Sequence, residues 1–289
     1  LGIKLATDMK RQYAISLLKK IKEEVGTELV DAILCNPEED ETQIIQQRLA
    51  VNQVKNKLKV INNPAAALLS QVTGFLERKS MWIVGGDGWA YDIGFSGLDH
   101  ILSTGENVNI LVLDTEVYSN TGGQKSKSSP IGASAKFSVK GKTTGKKDLA
   151  MQAMAHGNAY VAEIAMGAND VHALKTILEA EAFPGPSIII AYSHCIAHGY
   201  DMCHGLDQQA LAVKSGYWPL FRFNPMNEKG KRFMLDSKDP SIPMEDFMYN
   251  ENRFATIKNN NPERAHEFLD QANQGMHTRL EKLLAFKNL

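Results

Sequence analysis

The chain has 289 residues, with 32 basic side chains against 33 acidic ones and a formal net charge of −1. That balance gives no electrostatic case for nucleic acid or an anionic membrane as partner. No apolar run approaches a membrane span and no signal peptide opens the chain, so the expected location is cytoplasmic. Three cysteines, Cys35, Cys195 and Cys203, are too few for a disulfide framework and suit a reducing compartment. The length allows one large α/β domain with appendages or two small ones, and the start at Leu1 rather than Met suggests a piece of a longer polypeptide.

Residues 1–80 read as helices. Leu5, Met9, Ile15, Leu17, Leu18 and Ile21 recur on one face, and Glu38 to Ile61 reads as a long helix with Ile44, Ile45, Leu49, Val51, Val54 and Leu58 inside. Asn63-Pro64 supplies an N-cap with proline at the first helical position, opening a helix expected to run to Lys79. Cys35 lies among apolar helical residues and reads as a buried, inert thiol.

From Met81 the pattern changes. Met81 to Val84 is a short apolar run stopped by Gly85-Gly86, as for a buried strand ending in a tight turn. Ile93, Leu98, Ile101 and Leu102 then return at helical spacing before Gly105, a C-terminal cap, and Asn109 to Leu113 is again apolar and β-branched. The whole is a βαβ unit, whose strands lie side by side and collect ligands outside their carboxyl ends. Asp87 and Thr115 are thereby expected on one rim. Gly85, Gly86 and Gly88 would let backbone amides approach a phosphate, and Asp87 with the oxygens of Thr115 to Asn120 suits Mg²⁺ bridging a diphosphate.

The segment from Val117 to Lys147 is a long loop holding Lys125, Lys127, Lys136, Lys140, Lys142, Lys146 and Lys147 and no acid. It reads mostly as a solvated excursion, with docking of an acidic carrier or a phosphate-bearing substrate as the sharper alternative. Asp148 caps a short helix, Ala159 to Met166 is a strand, Asn169-Asp170 caps a helix through Ala182, and Ser187 opens a continuous apolar strand. Gly205 to Gly216 is one more helix and Trp218 to Phe223 one more strand. Strands alternate with helices throughout, which predicts a doubly wound parallel α/β sheet over 81–225. From 226 to 289 an irregular arm leads into an amphipathic helix opened by Pro262.

SHCIAHGYDMCH, from Ser193 to His204, follows a strand end on the same rim. Its thiols and imidazoles allow three readings: semi-buried structural groups, a zinc site from His194, Cys195, His198, Cys203 and His204 whose spacing matches no common arrangement, or one thiolate ligating an iron–sulfur cluster completed from elsewhere.

The GDG at 86–88, followed somewhat under thirty residues later by an Asn-bearing loop, resembles the thiamine diphosphate signature, although the usual Asn position falls near Thr115 with Asn120 further along. LDTEVYSNTGGQ is similar to the variant found in 2-oxoacid:ferredoxin oxidoreductases, most of all the pyruvate:ferredoxin (flavodoxin) group, and the resemblance extends over essentially the whole chain. It implies the pyrophosphate-binding type of thiamine diphosphate fold. It implies Asp87, the Thr115 hydroxyl and the Val117 carbonyl as Mg²⁺ ligands, with Gly86, Gly88, Trp89, Asn120 and Thr121 around the cofactor. Asn120 would also hydrogen-bond the reacting carbonyl, and Cys195 would be the fourth ligand of a [4Fe–4S] cluster. The implied reaction is oxidative decarboxylation of pyruvate or another 2-oxoacid, with coenzyme A taking the acyl group and ferredoxin or flavodoxin the electrons, in a homodimer whose other domains complete the site. A non-redox thiamine diphosphate decarboxylase or carboligase and a catalytically silent interaction module remain the alternatives.

Overall fold

The structure, a computed structural model, describes residues 1–288. The chain divides into two compact units, Leu1–Met81 and Trp82–Leu289. Among the described residues no helix is long and apolar enough to cross a membrane.

The first unit is all helical: α1 Gly2–Lys20, α2 Lys22–Val25, α3 Thr27–Cys35, α4 Glu41–Leu58 and α5 Pro64–Val72. Asn63 caps α5 by accepting the Ala65 amide (2.8 Å), with Pro64 at the first helical position. That helix ends at Val72 rather than Lys79, because the chain tightens into a 3₁₀ turn at Thr73–Leu76 containing Gly74. Ala14, Leu17, Leu18, Ile21, Val51, Val54 and Leu58 form the core. Leu5, Met9, Ile45 and Leu49 are exposed, against the reading from periodicity. Burial on α1 begins only at Ala14, so the apolar stripe outruns the neighbours that could cover it. Cys35 is exposed rather than buried, since it ends α3 beyond the inward-facing Val30 and Ile33.

The second unit is built on a six-stranded sheet of order β1-β2-β4-β3-β5-β6. Its elements are β1 Trp82–Gly86, α6 Phe95–Thr104, β2 Asn109–Asp114, α7 Leu149–Ala155, β3 Tyr160–Ile164, α8 Asp170–Ala182, β4 Ser187–Tyr192, α9 Gly205–Lys214, β5 Phe221–Phe223, β6 Phe233–Leu235, α10 Met244–Met248, α11 Asn252–Asn260 and α12 Pro262–Ala285. Strands β1 to β4 are parallel. The path advances from β1 to β2 to β3 and then steps back to β4, and right-handed crossovers therefore put α6 and α7 on one face and α8 on the other. On the α8 face Tyr160, Ala162, Ile164 and Ile189 pack with Ala173, Ala180 and Phe183. The fold class is thus the expected mixed α/β one. The sheet is mostly rather than wholly parallel, because β5 runs antiparallel to β3 and forms a hairpin with β6. Three-residue strands carry too little pattern to reveal direction.

Two local features depart from the expected βαβ unit. Gly88–Ile93 is a π-helical turn, closed by the Gly94 amide donating to the Trp89 carbonyl (2.8 Å), ahead of α6. The wider turn shifts the helical phase, so Ile93 points to solvent at 81% exposure instead of joining Leu98 and Leu102. The segment after 225 is also more regular than an irregular arm, since it contributes β6, α10 and α11 before α12.

Candidate cofactor site

Register levels the carboxyl ends of the first three neighbouring strands. Gly86 pairs with Leu113 and Asp114 with Tyr192, so Asp87, Thr115 and Ser193 leave the sheet together. The Thr115 hydroxyl lies 2.9 Å from Asp87 Oδ1 and 3.0 Å from the Val117 carbonyl oxygen. Asp87 is buried, and its Oδ2 accepts the Ser126 hydroxyl (2.6 Å). Burial, then the neighbouring Asp114 carboxylate, push its carboxyl up to about 7 against the opposing pull of the Ser126 and Thr115 hydroxyls.

The glycines divide by role. A Cβ at Gly88 would run into the Tyr118 ring, and one at Gly85 or Gly94 into the Trp89 indole, so these three serve packing. Gly86 is exposed and has nothing within 4 Å of where its Cβ would stand, which leaves open space beside its backbone. Trp89 is half-buried between its glycines, while Asn120 and Thr121 are exposed at the tip of the next turn, where Thr121 donates to Gln124 (2.5 Å).

Beneath the Thr115–Val117 turn lies a buried ionic network that the sequence did not disclose. Glu116 is buried, with a left-handed backbone (φ 58°). Its carboxylate accepts Lys146 Nζ (2.9 Å), Arg253 Nη2 (2.8 Å) and the Tyr217 hydroxyl (2.7 Å). Burial alone would raise its pKa; Lys146 and Arg253 overcome that and bring it down to about 2. Asp114 accepts the Glu116 amide (3.0 Å), the Ser128 and Tyr91 hydroxyls and Lys146 Nζ (2.8 Å). The Ser129 hydroxyl donates to the Glu116 carbonyl (2.6 Å).

The lysine-rich loop is therefore tied inward rather than merely solvated. Lys146 holds the two acids, Lys142 donates to the Ser129 and Gly145 carbonyls, Lys147 to the Tyr91 carbonyl, and Lys127 pairs with Asp92. Lys125, Lys136 and Lys140 are exposed. Loop serines spaced at 126, 128 and 129, in a segment without acids, were the available hint that carboxylates needed donors nearby.

Cys195 is buried at the end of the turn after β4. Its sulfur lies 3.0 Å from the Ser119 hydroxyl and accepts the Ala197 amide (3.4 Å). Three residues on, His198 donates from Nε2 to the Thr115 carbonyl (2.7 Å); burial, then Arg253, lower its pKa to about 3, so the ring is neutral. His194 instead meets Gln209, and His204 meets Asp207 at the surface. Among the described residues no group of three or more His, Cys, Asp or Glu side chains could hold a metal, which removes the zinc reading. The Asp87 set falls outside that class because it has one carboxylate and two neutral oxygens.

One cavity, about 520 Å³, is lined by Tyr91, Lys146, Trp218 and Arg279 but not by Asp87 or Thr115. A smaller one, about 240 Å³, is bounded by Val117, Gly122, Gly123, His198 and Arg253. The second adjoins the turn that carries the oxygen donors.

Residues 62–191 match the family described as thiamine pyrophosphate enzyme, C-terminal TPP binding domain. A pyruvate-flavodoxin oxidoreductase of Trichormus variabilis is 50% identical over 285 residues, covering 96% of this chain and 24% of its own length. Over nearly its whole length the chain is similar to a segment of the pyruvate-flavodoxin oxidoreductases. A pyruvate:ferredoxin oxidoreductase of Moorella thermoacetica is 50% identical over 72% of the chain and 18% of its own. A pyruvate dehydrogenase [NADP(+)] of Cryptosporidium parvum is 50% identical over 72% of the chain and 11% of its own. The chain thus spans about a quarter of the length of its curated pyruvate-flavodoxin oxidoreductase relatives. Among solved structures, a 2-oxoglutarate:ferredoxin oxidoreductase from Magnetococcus marinus overlaps 39% of the chain and 40% of its own at 24% identity and a TM-score of 0.37. So partial an overlap leaves the site to be argued from this chain alone. The relatives from the pyruvate-flavodoxin oxidoreductase family and its neighbours carry names with three different electron acceptors, although the matching segment is similar in each.

Proposed function

We propose that this chain anchors Mg²⁺ and thiamine diphosphate in a pyruvate:ferredoxin or flavodoxin oxidoreductase, a cytoplasmic homodimer whose remaining domains complete the site. The observation that carries the reading is the oxygen set at Asp87, Thr115 and Val117. Octahedral Mg²⁺ with bonds of about 2.0–2.1 Å requires neighbouring ligands roughly 2.9 Å apart, and the Thr115 hydroxyl is 2.9 and 3.0 Å from its two partners. A cation there would be held by the Asp87 carboxylate, the Thr115 hydroxyl and the Val117 carbonyl, with the Thr115 proton released from its present bonds. The open flank of Gly86 leaves room for a diphosphate beside the backbone amides.

Thiamine diphosphate, when bound, supplies the electron sink for decarboxylating a 2-oxoacid, pyruvate on this reading. Around it, Trp89 and Thr121 would wall the cofactor, and Asn120, exposed beyond the turn, would donate its amide to the substrate carbonyl. Coenzyme A would take the acyl group, and electrons would leave through a [4Fe–4S] cluster to ferredoxin or flavodoxin. Cys195 fits one cluster ligand, since its buried sulfur already accepts an amide and sits against a hydroxyl, donors that stabilise a thiolate.

The test is a titration of thiamine diphosphate with and without Mg²⁺ against the full-length polypeptide and its Asp87→Ala variant. Magnesium-dependent binding in the parent, lost in the variant, is the expected result. Binding that ignores both Mg²⁺ and residue 87 would refute the anchor.

A further inference from the structure

Resting on that reading, the structure carries a statement about why the two neutral oxygens stay on the cation side of the turn. Glu116 stands between Thr115 and Val117, pointing away from them into the network below. A left-handed φ at a long side chain is an outlier that persists only where surroundings impose it. Here four sets of bonds do so. The Glu116 amide is held by Asp114, its carbonyl by Ser129, its carboxylate by Lys146, Arg253 and Tyr217, and the preceding carbonyl by His198. Fixing the backbone of residue 116 fixes the hydroxyl before it and the carbonyl after it.

We propose that Glu116 is a positioning residue, whose carboxylate, clamped by Lys146, Arg253 and Tyr217, locks the Thr115–Val117 turn at Mg²⁺ spacing and thereby makes the site select Mg²⁺ over larger cations. The physical reason is bond length. Mg²⁺ demands a near-octahedral set at about 2.0–2.1 Å, whereas Ca²⁺ accepts flexible sets at about 2.3–2.6 Å, so a turn that cannot spread rejects calcium. A loosened turn loses this preference. Tyr217 and Arg253 come from beyond the parallel core of the sheet, so the selectivity of a strand-tip site would be set by residues remote in sequence.

The experiment measures thiamine diphosphate affinity of the full-length polypeptide with Mg²⁺ and with Ca²⁺ for the parent, Tyr217→Phe and Glu116→Gln, with thermal unfolding alongside. Tyr217→Phe deletes one hydroxyl donor and keeps the ring, so it keeps a folded protein to measure if Glu116→Gln does not fold. The expected result is about a tenfold fall of Mg²⁺-supported affinity in Tyr217→Phe, the scale of one hydrogen bond to a charged group, with Ca²⁺-supported affinity nearly unchanged. Glu116→Gln, where it folds, should narrow the ratio further. An unchanged ratio of the two metals in a folded Tyr217→Phe protein, even with a lower melting temperature, would reduce the clamp to a stability device and overturn the proposal. Failure of the parent itself to bind with Mg²⁺ would instead remove the underlying reading.

Discussion

Two glycines two residues apart should respond to the same substitution in opposite ways. At Gly88 an added methyl meets the Tyr118 ring, whose hydroxyl also donates to the Gly88 carbonyl (3.3 Å). Tyr118 is half-buried and can swing outward, so the overpacking cost lies in the lower part of the usual range, about 1–2 kcal/mol. Loss of the hydroxyl bond adds about 0.5–1 kcal/mol. A total near 2 kcal/mol lowers the melting temperature of a domain this size by roughly 4–8 °C. At Gly86 the methyl meets nothing, so Gly86→Ala should leave the melting temperature unmoved, yet the methyl occupies the space assigned to the diphosphate and should weaken magnesium-dependent cofactor binding. Thermal unfolding by circular dichroism and calorimetric titration of thiamine diphosphate measure the two effects separately. Parent-like cofactor affinity in Gly86→Ala would refute the cradle. An unmoved melting temperature in Gly88→Ala would refute the packing role.

Acidity supplies a second check. With Asp87 raised to about 7 by burial and by Asp114, the free protein holds a proton there that a cation must displace. Apparent Mg²⁺ affinity should therefore fall as pH drops below about 7, approaching tenfold per unit, with proton release in calorimetry across buffers of different ionisation enthalpy. In the metal-free protein the sign for stability is opposite. The group's contribution is complete below the unfolded carboxyl pKa and is lost as pH rises through about 7, and a melting temperature that rises over that interval would contradict it. For the thiol, Cys195→Ser should lower the iron bound by the anaerobically reconstituted full-length protein while sparing thiamine diphosphate uptake. Cys203→Ser, at an exposed residue, should change neither.

The rim was readable because it follows from local pattern: an apolar run, a glycine stop, a helical return and a second apolar run fix a βαβ unit and hence the nearness of residues 87 and 115. What escaped is what locality does not encode. Lys146, Tyr217 and Arg253 meet the Thr115–Val117 turn only through the folded chain, with Arg253 reaching Glu116 across 137 positions. The C-terminal arm looked formless because its strand and two helices are short, and short elements leave no periodicity. Ile93 misled for another reason: its spacing is helical, but a turn of π geometry intervenes and rotates it outward.

The stretch from Cys195 to His198 works as a ruler. Its first member presents sulfur beside Ser119, its last steadies the Thr115 peptide, and two intervening residues measure the gap. Ile196 is 80% exposed and free to change identity, whereas Ala197 contributes a backbone amide that any residue but proline could offer. The run is set by its count rather than its letters, so a single insertion there should shift the Cys195 sulfur away from Ser119 or the His198 ring away from the Thr115 carbonyl.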